Sequence, residues 1–165
     1  MKDGVKDTGL AVLAFARHKT LALLEDIPQN ELLHQPVPGG NHALWILGHL
    51  AGTDDQILTG LVPRASNLPE SWPMQFGQGS TPIARASAYP GLTAIKDRLA
   101  AMRAELERWF ASLSDDTLRS PLPDDWKPFA PTYGALMSSI AWHEGLHAGQ
   151  LTVIRRSLGI APKFG

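Results

Sequence analysis

The chain has 165 residues, 44% of them hydrophobic and 19% charged, with a formal net charge of -1. That is length enough to bury one core, and too little basic excess for a nucleic-acid-binding face, since the densest basic sites are residues 17–19 and the pair Arg155–Arg156. There is no cysteine, which excludes disulfides, thiolate metal ligands and a cysteine nucleophile together.

Thirteen prolines leave four long proline-free windows, at 1–27, 39–62, 91–120 and 132–161. Proline inside a helix loses a hydrogen bond and clashes with the preceding turn, so these windows predict four helices. Each carries apolar residues at helical spacing, and no segment alternates with the period of two that a sheet needs. One all-α domain, a four-helix bundle over residues 1–165, is expected.

The first window places Leu10, Leu13, Leu21 and Leu24 towards the core. Its apolar stretch, residues 9–16, runs into Arg17-His18-Lys19 and is far too short to span a membrane. The mixed charges of Lys2, Asp3, Lys6 and Asp7, with no small-x-small site after the apolar run, make a poor signal peptide, so a cytoplasmic location is expected. His18, between two cations, reads as a surface residue. In the joint that follows, His34 sits beside Pro36 and reads as solvent-exposed.

The second window carries Leu44, Leu47, Leu50 and Leu58, with His49 mid-helix among apolar neighbours. His42, seven residues earlier, lies about 10 Å from His49 by helical rise, too far to share an ion. It is placed at the mouth of any site instead. The segment from Leu61 to Pro90 contains five prolines, counting Pro90. A loop of that length is expected to cross over the bundle, letting the second and third helices run parallel, and to cover a site. Trp72, Met74 and Phe76 in it, with Trp45 and His42, are the predicted pocket lining.

The third window buries Leu92, Ile95, Leu99, Met102, Leu106 and Trp109. After it, Leu113-Ser114-Asp115-Asp116-Thr117-Leu118 echoes Ile27-Pro28-Gln29-Asn30-Glu31-Leu32, each followed by a Pro-x-Pro. The echo points to a duplicated helical hairpin.

The fourth window holds the run His143-Glu144-Gly145-Leu146-His147 on a core stripe of Leu136, Ile140, Leu151, Ile154 and Leu158. Residues four apart share a helix face, so both imidazoles point to one place. Two buried imidazoles side by side are costly unless a cation joins them. One or both could instead be core histidines bonded to backbone carbonyls. The letters also spell the H-E-x-x-H of zinc peptidases. The residues after His147, 148–165, contain no Asp, Glu or His, so a third ligand must come from upstream, and His49 is the best candidate. Glu144 points about 100° away from His143 around the helix, and either reaches the site as a base, supports it from beside it or faces solvent. Ser138, Ala141, Gly145, Ala148, Gly149 and Thr152 form a face of small residues, expected to be covered by a second subunit, with the chain's own long loop as the other candidate.

Trp45-Ile46-Leu47-Gly48-His49-Leu50-Ala51 and His143-Glu144-Gly145-Leu146-His147-Ala148-Gly149-Gln150-Leu151, closing with Arg155-Arg156-Ser157-Leu158-Gly159, resemble the DinB-like superfamily of metalloenzymes over nearly the whole chain. The resemblance implies a four-helix bundle with an up-down-down-up path. It also implies a divalent metal, zinc or nickel, held by His49, His143 and His147, the set reached from spacing. Relatives in that superfamily include bacillithiol- and mycothiol-dependent transferases. The expected function is transfer of a low-molecular-weight thiol to a small electrophile; hydrolysis by a metal-bound hydroxide and a non-catalytic binding module are the alternatives. Three neutral imidazoles leave a coordination position open, the arrangement of catalytic zinc sites. The expected partners are a small-molecule substrate and a second copy of the chain, with neither nucleic acid nor membrane.

Overall fold

The computed structural model describes residues 4–164; residues 1–3 of the first window, and Gly165, lie outside them. Four long helices, α1 (Val5–Leu24), α2 (Ala43–Leu61), α4 (Leu92–Ser112) and α6 (Tyr133–Ser157), fall in the four proline-free windows. Two short ones, α3 (Trp72–Phe76) and α5 (Asp115–Arg119), lie in the joints. Among the described residues no strand forms, only an isolated bridge between Pro121 and Thr132. No helix among them is long and apolar enough to cross a membrane.

The path is up-down-down-up. Gly9 lies against Met137, and Arg155 donates to the Leu23 carbonyl at 3.0 Å, so α1 and α6 run parallel. One core cluster joins Leu47 and Leu50 to Ile95 and Leu99, and a second joins Ile57 and Leu58 to Leu106 and Phe110, so α2 and α4 are parallel too. Asn41 bonds Gln150 while His49 meets His143, which makes α2 antiparallel to α6. The long crossover between α2 and α4 permits this path.

Local chemistry sets the helix ends. Thr132, in extended backbone, accepts from the Ala135 N–H at 3.2 Å and starts α6; Ser114 does the same for α5 through Thr117 at 3.1 Å. The two echoed joints act alike: each forms a short helical turn that inserts a leucine, Leu32 or Leu118, into the core.

The seam of α1 differs from its leucine pattern. Its buried positions include Leu13, Arg17, Thr20 and Leu24, a regular four-three-four spacing, whereas Leu21 is 41% exposed and Leu10 only half-buried. Leu21 lies about 100° around the helix from Thr20, which turns it outward. The seam therefore passes through an arginine that reads in the sequence as part of a surface basic run.

Candidate metal centre

α2 starts at Ala43 because the side chain of His42 caps it. His42 Nδ1 accepts from the Trp45 N–H at 3.0 Å, so Nε2 carries the proton and donates to the Ile83 carbonyl at 3.3 Å. The ring is fully buried, edge-on to Tyr89. His42 therefore does not stand at the mouth of the site: both ring nitrogens are used in joining α2 to the crossover. Desolvation lowers its pKa, which keeps the capping nitrogen an acceptor.

His49 lies further along α2, stacked on Trp45 with ring centroids 4.6 Å apart. Its Nδ1 donates to the Phe76 carbonyl at 2.8 Å. That carbonyl is in reach because α3 lies on the glycines of α2. A Cβ at Gly48 would overlap the Phe76 ring, and Trp72 Nε1 donates to the Gly48 carbonyl at 2.9 Å. Trp72 and Phe76 are thus core residues, 2% and 1% exposed, while Met74 is 82% exposed. None of the three lines the pocket as expected; the crossover contributes Gln78, Gly79 and Ser80 in their place, with Ser80 accepting from Trp45 Nε1 at 3.0 Å. Three alternating large residues in a loop look like lining, but a five-residue helix sends Trp72 and Phe76 to one side and Met74 to the other.

On α6, His147 Nδ1 donates to Gln150 Oε1 at 2.9 Å, and the same oxygen accepts from Asn41 Nδ2 at 3.0 Å. With Nδ1 of His49 and of His147 committed as donors, their Nε2 atoms carry lone pairs. Those atoms stand 3.3 Å and 3.2 Å from His143 Nε2. One proton at most can sit among three such nitrogens, so the arrangement is electrostatically poor as it stands and well suited to a cation. Imidazole nitrogens bound at the zinc distance in tetrahedral geometry lie about 3.3–3.4 Å apart. The three side chains form a group whose candidate ligand atoms all lie within 4.8 Å of one another.

The surroundings of all three rings favour the neutral form. Desolvation lowers the pKa of His49, partly offset by the Phe76 carbonyl. Desolvation first, and then repulsion from His49, pushes His143 down to about 4. His147 is lowered to about 4 by desolvation and by both neighbouring rings. His18 is exposed, and His34 is half-buried with Nε2 2.9 Å from Ser157 Oγ; neither joins the cluster.

Glu144 is not at the surface. It is fully buried, and the 100° offset from His143 turns it inward between α1 and α4. Arg17 Nε donates to its Oε1 at 2.6 Å and Arg103 Nη2 to its Oε2 at 2.8 Å. Both arginines also hold Asp54, Arg103 through two bonds of 2.9 Å and 3.1 Å and Arg17 through one of 3.2 Å. Two cations and two anions, one from each long helix, thus form a neutral buried cluster beneath the histidines. Desolvation opposes the charge on Arg103, but Asp54 and then Glu144 outweigh it and raise the pKa above that of free arginine. In the sequence Arg17 reads as part of a surface basic run, and Asp54 and Arg103 are not singled out. The available signal was charge at core-stripe positions, Arg17 between Leu13 and Thr20, and Arg103 beside Met102.

A groove of about 710 Å³ opens beside the histidines, between α2 and α6. Trp45, His49 and His143 line one part, and Trp126, Phe129 and Leu136 line the far end. Trp126 reaches that position because it lies on Gly60, where a Cβ would overlap its ring.

The family model of the DinB superfamily matches residues 13–151. A crystal structure described as the conserved protein of locus from Enterococcus faecalis has the same fold, with a TM-score of 0.74, 20% identity, and 95% of this chain and 99% of that chain covered. No curated protein matches the chain.

Proposed function

The chain belongs to the DinB superfamily, and from that premise we propose that His49, His143 and His147 hold one divalent transition-metal ion, zinc or nickel, and that the site transfers a low-molecular-weight thiol to a small electrophile. The observation that carries this reading is the convergence of three Nε2 atoms, two with their Nδ1 hydrogens already donated, beside an open groove. Among the described residues no fourth His, Asp or Glu belongs to the group, so side chains do not close the coordination sphere as in a structural site.

Bound there, a divalent ion supplies Lewis acidity and favours a thiolate over a thiol at neutral pH. The Phe76 carbonyl and Gln150 hold His49 and His147 in the tautomer that presents Nε2. Trp45, stacked on His49, shields that ring from water. In the transfer, a sulfur–carbon bond forms and a carbon–halogen bond breaks. The halide leaves with the bonding pair, and the thiol proton goes to solvent. The chain has no cysteine, so the thiol arrives as a separate molecule.

Hydrolysis is the second reading, and the fate of Glu144 weighs against it. In the zinc peptidases the glutamate of H-E-x-x-H is the general base. Here both of its oxygens are bonded to arginines, leaving no free carboxylate for that role. Transfer by a thiolate needs no such base. Metal-loaded protein incubated with a chloroarene is expected to turn it over only when glutathione, bacillithiol or mycothiol is added, with loss of activity in His147→Ala. Turnover of esters without any thiol would instead establish the hydrolase.

A second copy of the chain is proposed to cover the outer face of α6. Of the six small residues expected there, Ala141, Ala148 and Thr152 are half-buried at the seams, while Ser138, Gly145 and Gly149 face out. Trp142, Leu146 and Val153 stand among them, 67%, 48% and 55% exposed. The long loop does not cover this face, since a Cβ at Gly145 or Gly149 would meet nothing within 4 Å. Gly145→Leu is expected to convert a dimer to a monomer in light scattering, without a clash inside the chain. If the parent is already a monomer at micromolar concentration, the proposed interface does not exist. On a bare face the substitution should only stabilise the helix, by roughly 1 kcal/mol.

A further inference from the structure

Ile57 lies eight residues beyond His49 on α2, and Leu136 seven residues before His143 on α6, so the groove extends about 10–12 Å from the histidines by helical rise. Along that arm the walls are Ile57, Leu136, Ile140, Trp126, Phe129 and Trp142. Trp126 and Phe129 are tilted against each other at its far end, their centroids 5.5 Å apart. The polar groups that join them, Thr53, Gln56, Ser138 and Ser139, are all neutral. Among the described residues, no Lys, Arg, Asp or Glu lines any part of the groove. The buried charges Arg17, Asp54, Arg103 and Glu144 satisfy one another and are absent from the groove lining, so they offer nothing to a ligand.

A groove of this size suits a drug-sized ligand, and its chemistry decides which. A charged group carried along it would leave water without gaining an opposite charge, which is costly. Flat aromatic rings gain both area and stacking geometry from two tryptophans and a phenylalanine. From this lining we propose that the electrophile is a neutral molecule with an aromatic body about two rings long, seated in the arm between Ile57 and Phe129 with its reacting end at the three histidines. The proposal rests on the reading of the histidines as an open metal site for the position of that end, and on the groove alone for the body.

Calorimetric titration of the zinc-loaded protein with three hydroxamates separates the two. Acetohydroxamate reports only the open metal position. 4-Phenylbenzohydroxamate adds a neutral two-ring body, and its 4'-carboxy derivative adds a distal charge. The two-ring probe is expected to bind at least about 30-fold more tightly than acetohydroxamate, from apolar burial, and the carboxylate to lose at least about tenfold of that. Gln56→Lys, at an exposed position on the groove wall, should recover the binding of the carboxylate probe. Metal-free protein should still prefer 4-phenylbenzamide to its 4'-carboxy derivative. If acetohydroxamate binds but the second ring adds nothing, or the carboxylate binds as tightly, the substrate class is overturned and the metal site stands. If acetohydroxamate fails with the ion present while the amide preference persists, the open metal site is wrong and the groove assignment stands. No preference in either form of the protein overturns the proposal.

Discussion

Alanine at His49, His143 or His147 is expected to leave purified protein with less than about one-tenth of an ion per chain, against about one in the parent, because a three-nitrogen site loses most of its affinity with any one ligand. Elemental analysis by mass spectrometry reads this directly. The controls are set by the structure: His18→Ala and His34→Ala should keep the ion, since neither ring reaches the cluster. His42→Ala is the sharper control. It lies on the same helix as His49 and is fully buried, yet its nitrogens are spent on the Trp45 N–H and the Ile83 carbonyl. It should keep the metal while losing about 1 kcal/mol of stability with its cap. Full occupancy in the His49 variant would remove α2 from the site.

The same cluster sets an acid dependence. The three histidines lie below the ordinary imidazole value of 6.5, two of them at about 4, so they resist protonation in the folded chain and accept it readily when unfolded. Below pH 6.5 the unfolded state then binds more protons than the folded one, and stability falls as the pH drops towards about 4. Above pH 6.5 the three rings contribute no slope. Metal-free protein should show this loss in thermal melts over that window. An added ion should oppose it, since it binds only the deprotonated rings.

Helix periodicity and proline spacing carried the bundle, because both are local properties of the chain. The pairing of His143 with His147 was legible for the same reason: four residues on a helix is a fixed geometry. His49 follows from the sequence as the best of the upstream histidines, and the structure brings it to the other two through the antiparallel contact of α2 with α6. Residues whose roles depend on distant partners were harder to read. Glu144 could be given an angle from sequence but not an environment, since what lies at that angle is Arg17 from α1 and Arg103 from α4. Trp72 and Phe76 read in sequence as pocket walls because nothing in the loop announces that Gly48 and Gly52 leave room for them on α2. His42 resembles a site residue because a histidine cap reads in sequence the same as a histidine ligand.

The largest stability effect is expected at Glu144. Replacing it with alanine leaves Arg17 and Arg103 sharing Asp54 alone, so an unpaired positive charge remains in an interior where the side chains of all four partners are at most 9% exposed. Breaking one partner out of a buried ion network costs about 3–5 kcal/mol, whereas the intact network contributes far less than that relative to apolar residues of the same shape. Glu144→Ala should therefore unfold at much lower urea concentration, and Arg17→Met should do the same from the opposite side by leaving two carboxylates on Arg103. Combining Glu144→Ala with Arg17→Met returns the cluster to neutrality, one arginine with one aspartate. The double variant is expected to lose about 0.5–3 kcal/mol less than the sum of the two single losses, the range found for residues in direct contact. The exposed pair Arg119 and Asp115, 3.7 Å apart with side chains more than half exposed, provides the contrast: its removal should change stability by less than about 0.5 kcal/mol. Additive losses in the cycle would mean that the two residues act separately. A loss under 1 kcal/mol at Glu144 would mean that water reaches the arginines, and the cluster would then be no more than a surface ion pair in its energetics.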